Sequence, residues 1–238
     1  MAATTYQRIL LKLSGEVLAG PNESGIDGGM LDYLAKEVRS AVELGVQVAI
    51  VIGAGNIFRG VQGQQRGIPR ASGDLMGMLG TVINSVALQE TLESLGLPTL
   101  IQTAIPMGQI AEPFHRKKAV QALTQGTIVI FAAGTGHPFF TTDTAAALRA
   151  VEIEANAIFK ATKVDGIYSA DPVKDPNAVR FDRISYADVL QRQLKVMDLT
   201  AISFCLEHDM PIVVFDLKTP GNIQRILSGE AVGTVVHK

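Results

Sequence analysis

Apolar positions follow two rhythms along this chain. Short, nearly unbroken apolar runs at 8–13, 46–52, 99–103, 127–131, 157–160 and 211–215 have the length of buried strands. Between them lie stretches with apolar residues at helical spacing. One covers 31–44 and is closed by Gly45; a long one follows Asp74, runs to Ser94 and is closed by Gly96 and Pro98. Further helices are predicted at 116–123, at 143–154, which is rich in alanine, and at 222–227. This alternation predicts an α/β fold: a three-layer αβα sandwich, with an open, mostly parallel sheet, right-handed crossovers and helices on both faces. Ligands of such sheets bind beyond the carboxyl ends of the strands. No repeat or linker divides the chain, and 171–177, with two Asp-Pro pairs, is expected to be an exposed excursion.

Composition narrows the function classes. Hydrophobic residues make up 47% and charged ones 18%, as in a globular protein. A net charge of −2 argues against a broad nucleic-acid footprint but leaves room for a local basic pocket. No apolar run approaches the roughly 18–20 residues of a membrane span. Residues 1–8 lack the apolar stretch of a secretory signal. Cys205 is the only cysteine, so neither an internal disulfide nor a cysteine-based metal cluster can form; at helical spacing among apolar neighbours it reads as a core thiol. A cytosolic location is expected, with no metal held by the protein itself.

Three glycine turns follow three predicted strands: Lys12-Leu13-Ser14-Gly15; Gly53-Ala54-Gly55-Asn56, leading to Phe58-Arg59-Gly60; and Gly134-Thr135-Gly136-His137-Pro138, leading to Thr141-Thr142-Asp143. Glycine lets a ligand approach the backbone, and successive N–H groups form an anion nest. One such turn is usually only a turn; three at one sheet edge point to a ligand. The sequence lacks a G-x-x-x-x-G-K-[ST] motif and the complete dinucleotide fingerprint, which excludes a P-loop kinase and disfavours a nicotinamide enzyme. Lys12, set among Leu10, Leu11 and Leu13, and Arg59 are cations at strand ends, where they are expected to converge on a phosphoryl group. Asp143 begins a helix, so capping and orienting a lysine are both open to it.

At these residues the chain resembles the UMP kinases of the amino-acid kinase superfamily, over nearly its whole length. The most specific stretches are Gly73-Asp74-Leu75-Met76-Gly77-Met78, the run from Gly134 through Phe139-Phe140 to Asp143, Lys160-Ala161-Thr162-Lys163-Val164-Asp165-Gly166, and Lys195-Val196-Met197-Asp198. The resemblance implies that Lys12, with Arg59, Asp143 and Lys160, organises charge around the transferred group. It places ATP on Lys12, Leu13, Ser14, Gly15, Gly55, Arg59, Thr162, Tyr168 and Asp171. It places UMP on Ala54, Asp74, Thr135, Gly136, His137, Pro138, Phe139, Phe140, Thr141 and Thr142, with Asp74 on the ribose. It further implies Mg²⁺ accompanying ATP, GTP acting through Gly20, Pro21, Asn22, Glu23, Ser24 and Gly25, inhibition by UTP, and a homohexamer. The UMP part would be roughly 1–150 and the ATP part roughly 151–238 of one domain.

Two departures stand out. The family's second turn is commonly three glycines where this chain has Ala54 in the middle, and many relatives have asparagine where it has His137. Phe139 and Phe140 read equally as core or as pocket lining, and His115, His208 and His237 as structural or solvent-facing. Rival readings are a non-catalytic nucleotide sensor and a kinase of the same superfamily acting on a carboxylate or carbamate.

Overall fold

Each strongly apolar run becomes a strand of one sheet. The computed structural model describes residues 4–238 apart from 61, 62, 64–66, 171, 173 and 176. The main strands are β1 (Arg8–Leu13), β2 (Gln47–Ile52), β3 (Thr99–Thr103), β4 (Glu112–Pro113), β5 (Ile128–Ala132), β6 (Ala157–Thr162), β9 (Arg183–Ser185), β10 (Ile212–Asp216) and β11 (Thr234–His237). A separate ribbon pairs β7 (Ile167–Tyr168) with β8 (Arg180–Phe181). The helices are α1 (Gly15–Leu18), α2 (Gly28–Glu43), α3 (Arg70–Ser94), α4 (Arg116–Thr124), α5 (Thr142–Glu152), α6 (Tyr186–Gln191), α7 (Leu199–Glu207) and α8 (Asn222–Leu227).

The sheet order is β4-β3-β5-β2-β1-β6-β10-β11-β9, parallel throughout except between β10 and β11. Strands from the first 150 residues form one wing and later strands the other. The wings meet where β1 pairs with β6. Alternation along β1 splits the core into two layers. Ile9, Leu11 and Leu13 pack with Leu34 and Val38 of α2 and Leu88 of α3. Leu10 faces the other way, with Ala146 of α5 and Ile202 and Cys205 of α7. Both faces are covered, which is why the strands read as continuous apolar runs. Among the described residues no helix is long and apolar enough to cross a membrane.

The structure moves one expected boundary and decides two readings the sequence left open. The long helix starts at Arg70 instead of after Asp74, which places Asp74 in its second turn. The cap of α5 is Thr141, whose hydroxyl accepts from the N–H groups of Asp143 and Thr144, so Asp143 is not the cap. Phe139 and Phe140 are exposed and outside the core, the former at a φ of 75°. In the Asp-Pro excursion Pro172, Lys174 and Asn177 are exposed, bracketed by the β7–β8 ribbon. Cys205 is a buried thiol, which burial pushes up to about 12.

Helix α3 packs close against the turn after β2. A Cβ on Gly80 would lie 2.9 Å from the Cβ of Ala54 and 3.3 Å from that of Ile57. The methyl that Ala54 adds to the second turn thus occupies the space left by a glycine of α3. Alanine in place of an interior helical glycine ordinarily stabilises by about 1 kcal/mol. Here the overlap reverses the sign. Gly80→Ala is expected to lower stability in urea unfolding by about 1–2 kcal/mol, and Ala54→Gly in the same chain is expected to recover most of that loss.

Candidate active site

The pairing of β1 with β6 sets Lys12 directly beside Lys160. Both lie on the face that Leu10 and Ile158 share, toward α5. Two adjacent ammonium groups, with side chains only 10% and 14% exposed, need a counter-ion. Asp143, in the first turn of α5, supplies it. Its Oδ1 lies 2.8 Å from Lys12 Nζ and its Oδ2 accepts a 2.8 Å hydrogen bond from Lys160 Nζ. Oδ1 has no well-aligned donor, so the Lys12 contact is ionic more than directional. Burial opposes ionisation of Asp143, but the charges of Lys12 and Lys160 overcome it and hold the carboxyl below its usual range. For Lys160, burial and the charge of Lys12 lower the ammonium pKa against the pull of Asp143.

A second carboxylate fixes this group from outside. Asp198 caps α7 by accepting from the Ala201 N–H and accepts from the hydroxyls of Thr141 and Thr144. Lys160 also donates to the Val196 carbonyl. The Lys195–Asp198 motif therefore holds the start of α5 and the lysine together. It was visible in the sequence only as part of the family resemblance.

The glycine turns pack together at the carboxyl ends of β1 and β2. A Cβ on Gly15 would collide with the Gly53 carbonyl and the Ala54 amide, and one on Gly53 would sit 3.6 Å from Thr142 Oγ1. Ser14 stands at the N-cap of α1 with its hydroxyl making no cap bond. Arg59 does not converge with Lys12 here. It reaches Glu16 at 3.6 Å and donates to the Gly55 carbonyl, while Glu16 also pairs with Lys163 at 3.2 Å. Glu16 and Lys163 were not singled out from the sequence as site residues. A cavity of about 600 Å³ is lined by Gly55, Arg59, Thr162 and Lys163 on one side and by Gly20, Asn22, Glu23 and Ser24 on the other. Tyr168 is more remote: its hydroxyl donates to Asp165 at 2.7 Å. Asp171 lies outside the described residues.

A smaller recess, about 160 Å³, adjoins at Gly55, which lines both. Ala54, Asp74, Thr135, Phe140, Thr141 and Thr142 line it, whereas Gly136, His137, Pro138, Phe139, Leu13, Ser14 and Gly15 line neither, nor do Lys12, Asp143 and Lys160. His137 is exposed, and its backbone exchanges hydrogen bonds with the Thr135 hydroxyl. Of the other histidines, His115 caps α4 and His208 packs on Phe204.

Residues 7–216 match the model of the amino acid kinase family. A uridylate kinase of Porphyromonas gingivalis is 54% identical over 233 residues, covering 98% of each chain. The chain belongs to the amino acid kinase family, among its uridylate kinases. Crystal structures agree: a UMP kinase of Bacillus anthracis superposes with a TM-score of 0.96 at 40% identity, covering 98% of this chain and 96% of its own. That of Ureaplasma parvum gives 0.93 at 35% identity, covering 98% and 99%. The nine-stranded sheet of this kinase is thus the amino acid kinase fold.

The lysine–aspartate–lysine group has a measurable signature. Asp143→Asn leaves two buried ammonium groups without a counter-ion and is expected to cost about 3 kcal/mol of stability at neutral pH. The native carboxyl titrates below its ordinary 3.8. Its contribution is therefore complete above that value and lost as pH falls through the lower native one. Denaturation of wild type and variant at a series of pH values is expected to give a constant gap near neutrality that closes in acid.

Proposed function

We propose that this kinase transfers the γ-phosphoryl group of ATP to UMP, giving ADP and UDP, as a step of pyrimidine nucleotide synthesis. The observation that carries the reading is the trio of Lys12, Asp143 and Lys160, two cations sharing one anion near the carboxyl ends of β1 and β6, with Asp143 next in the chain to Thr142 of the smaller recess. Its net positive charge suits a transition state that spreads negative charge over three phosphoryl oxygens.

The larger cavity takes Mg-ATP, with Gly55, Arg59 and Thr162 along its wall and the adenosine toward Tyr168 and Asp171. Arg59 and Lys163 then exchange Glu16 for phosphate. The smaller recess takes UMP, with Asp74 on the ribose and the loop from Thr135 to Thr142 around the nucleoside and phosphate. The acceptor phosphate is ionised at neutral pH, so no base is needed. Asp143 is in any case committed to two lysines, and its lowered pKa makes it a poor proton acceptor. Transfer is direct and in line, driven by positioning and charge neutralisation.

Regulation and assembly follow the same reading. Gly20, Asn22, Glu23 and Ser24 line the same cavity as Arg59 and Thr162, a route by which GTP acts on the donor side, while UTP competes at the acceptor side. Leu75, Leu79 and Ile83 form an exposed apolar stripe on α3, a face that suits assembly into a homohexamer. The enzyme works in the cytosol.

A non-catalytic sensor is the other reading, but a sensor has no need of two lysines on one buried carboxylate. Coupled ADP release with Mg-ATP is expected with UMP, and far more slowly or not at all with CMP, dUMP, carbamate, glutamate and aspartate. Tight UMP binding without ADP release would instead establish the sensor.

A further inference from the structure

Arg70 opens α3 in a place that does nothing for the helix. It is the first helical residue, after Pro69, whose side chain gives no cap bond. A cation there opposes the helix dipole, and the first turn carries no acidic residue to offset it. Its pairing with Asp74 also runs in the weaker direction for a helix, the base preceding the acid by four residues. A residue placed against the local rules marks a site more often than a scaffold.

The contacts of Arg70 converge on the acceptor recess. Its Nε–H is shared between Asp74 Oδ1 and Asp74 Oδ2, 2.9 Å from each, which holds the carboxylate toward the guanidinium. Asp74 Oδ2 also accepts the Phe139 N–H at 2.7 Å, and the Arg70 guanidinium lies 5.9 Å from the Phe139 ring centroid. Phe139 holds a positive φ, a conformation a bulky residue keeps only when its surroundings impose it. Arg70, Asp74 and Phe139 thus join the start of α3 to the loop that closes the recess. Asp74 Oδ1 keeps an unused acceptor direction, since Phe139 takes only Oδ2.

We propose that Arg70 is the positioning residue of the acceptor site: it turns the Asp74 carboxylate so that Oδ1 faces a ribose diol, and it holds the 139 loop against the same carboxylate. This rests on the reading of Asp74 as the ribose ligand. The effect belongs to acceptor affinity and leaves the phosphoryl-transfer step alone, because Arg70 touches none of Lys12, Asp143 or Lys160.

The test is steady-state kinetics with UMP varied at saturating Mg-ATP, for wild type, Arg70→Gln, Arg70→Lys, Asp74→Asn and the double variant Arg70→Gln/Asp74→Asn. Arg70→Gln is expected to raise the KM for UMP about five- to tenfold, as befits a half-exposed charged hydrogen bond, with kcat changed less than about twofold. Arg70→Lys keeps the charge without the guanidinium's shared Nε–H contact and is expected to fall between wild type and glutamine; it also serves if the glutamine variant folds poorly. The double variant is expected to match Asp74→Asn alone, since Arg70 acts through that carboxylate. A wild-type KM in Arg70→Gln beside a raised KM in Asp74→Asn would overturn the positioning role alone. So would losses in the double variant that multiply, or a fall in kcat with KM unchanged. A wild-type KM in Asp74→Asn would remove the ribose assignment and the inference together.

Discussion

Lys12 and Lys160 are set side by side by strand pairing, and the structure around them is arranged to make that proximity tolerable. Their positions are register partners in a parallel pair, so neither can turn away without giving up the sheet. Leaving two like charges in a mostly buried place without a counter-ion would cost several kcal/mol. Helix α5 resolves the conflict with one carboxylate, and Asp198 anchors that helix through Thr141 and Thr144. The result is a fixed excess of positive charge on a rigid support. An environment prepared in advance for developing negative charge is what phosphoryl transfer needs.

Topology explains why this happens where it does. The chain builds β1 and β2 and then moves outward on one side, so β6 returns to the free side of β1. The reversal leaves a crevice at the carboxyl ends, where the turns after β1 and β2 pack so tightly that Gly15 has no room for a side chain. Two cavities meet at Gly55, in the turn after β2.

Much of this was legible in the sequence. Strands buried on both faces announce themselves as apolar runs, so β1, β3 and α8 fall where the pattern puts them, and Lys12 stood out as a charge among leucines. Short elements were invisible: α1, β4, β7, β8 and β9 are too brief for any periodicity to register. The start of α3 was misplaced because Arg70 and the residues after it break the apolar spacing, and capping of α5 by Asp143 stayed open because an aspartate and a threonine look alike as caps. Pairings between distant segments escaped altogether. Nothing in the local sequence says that Arg59 meets Glu16, that Asp198 grips Thr141 and Thr144, or that the Ala54 methyl fits the gap at Gly80. Those facts come into being only when the sheet brings its turns together.

The most direct test of the charge trio is turnover by Lys160→Met at saturating UMP and Mg-ATP, with UMP affinity measured by calorimetry on the same preparation. Methionine keeps the bulk of the side chain and removes its charge, so Asp143 is left neutralising Lys12 alone. A fall in kcat of about a hundredfold or more is expected, with UMP affinity little changed. Turnover within about twofold of wild type would contradict it and leave Lys160 as a packing residue.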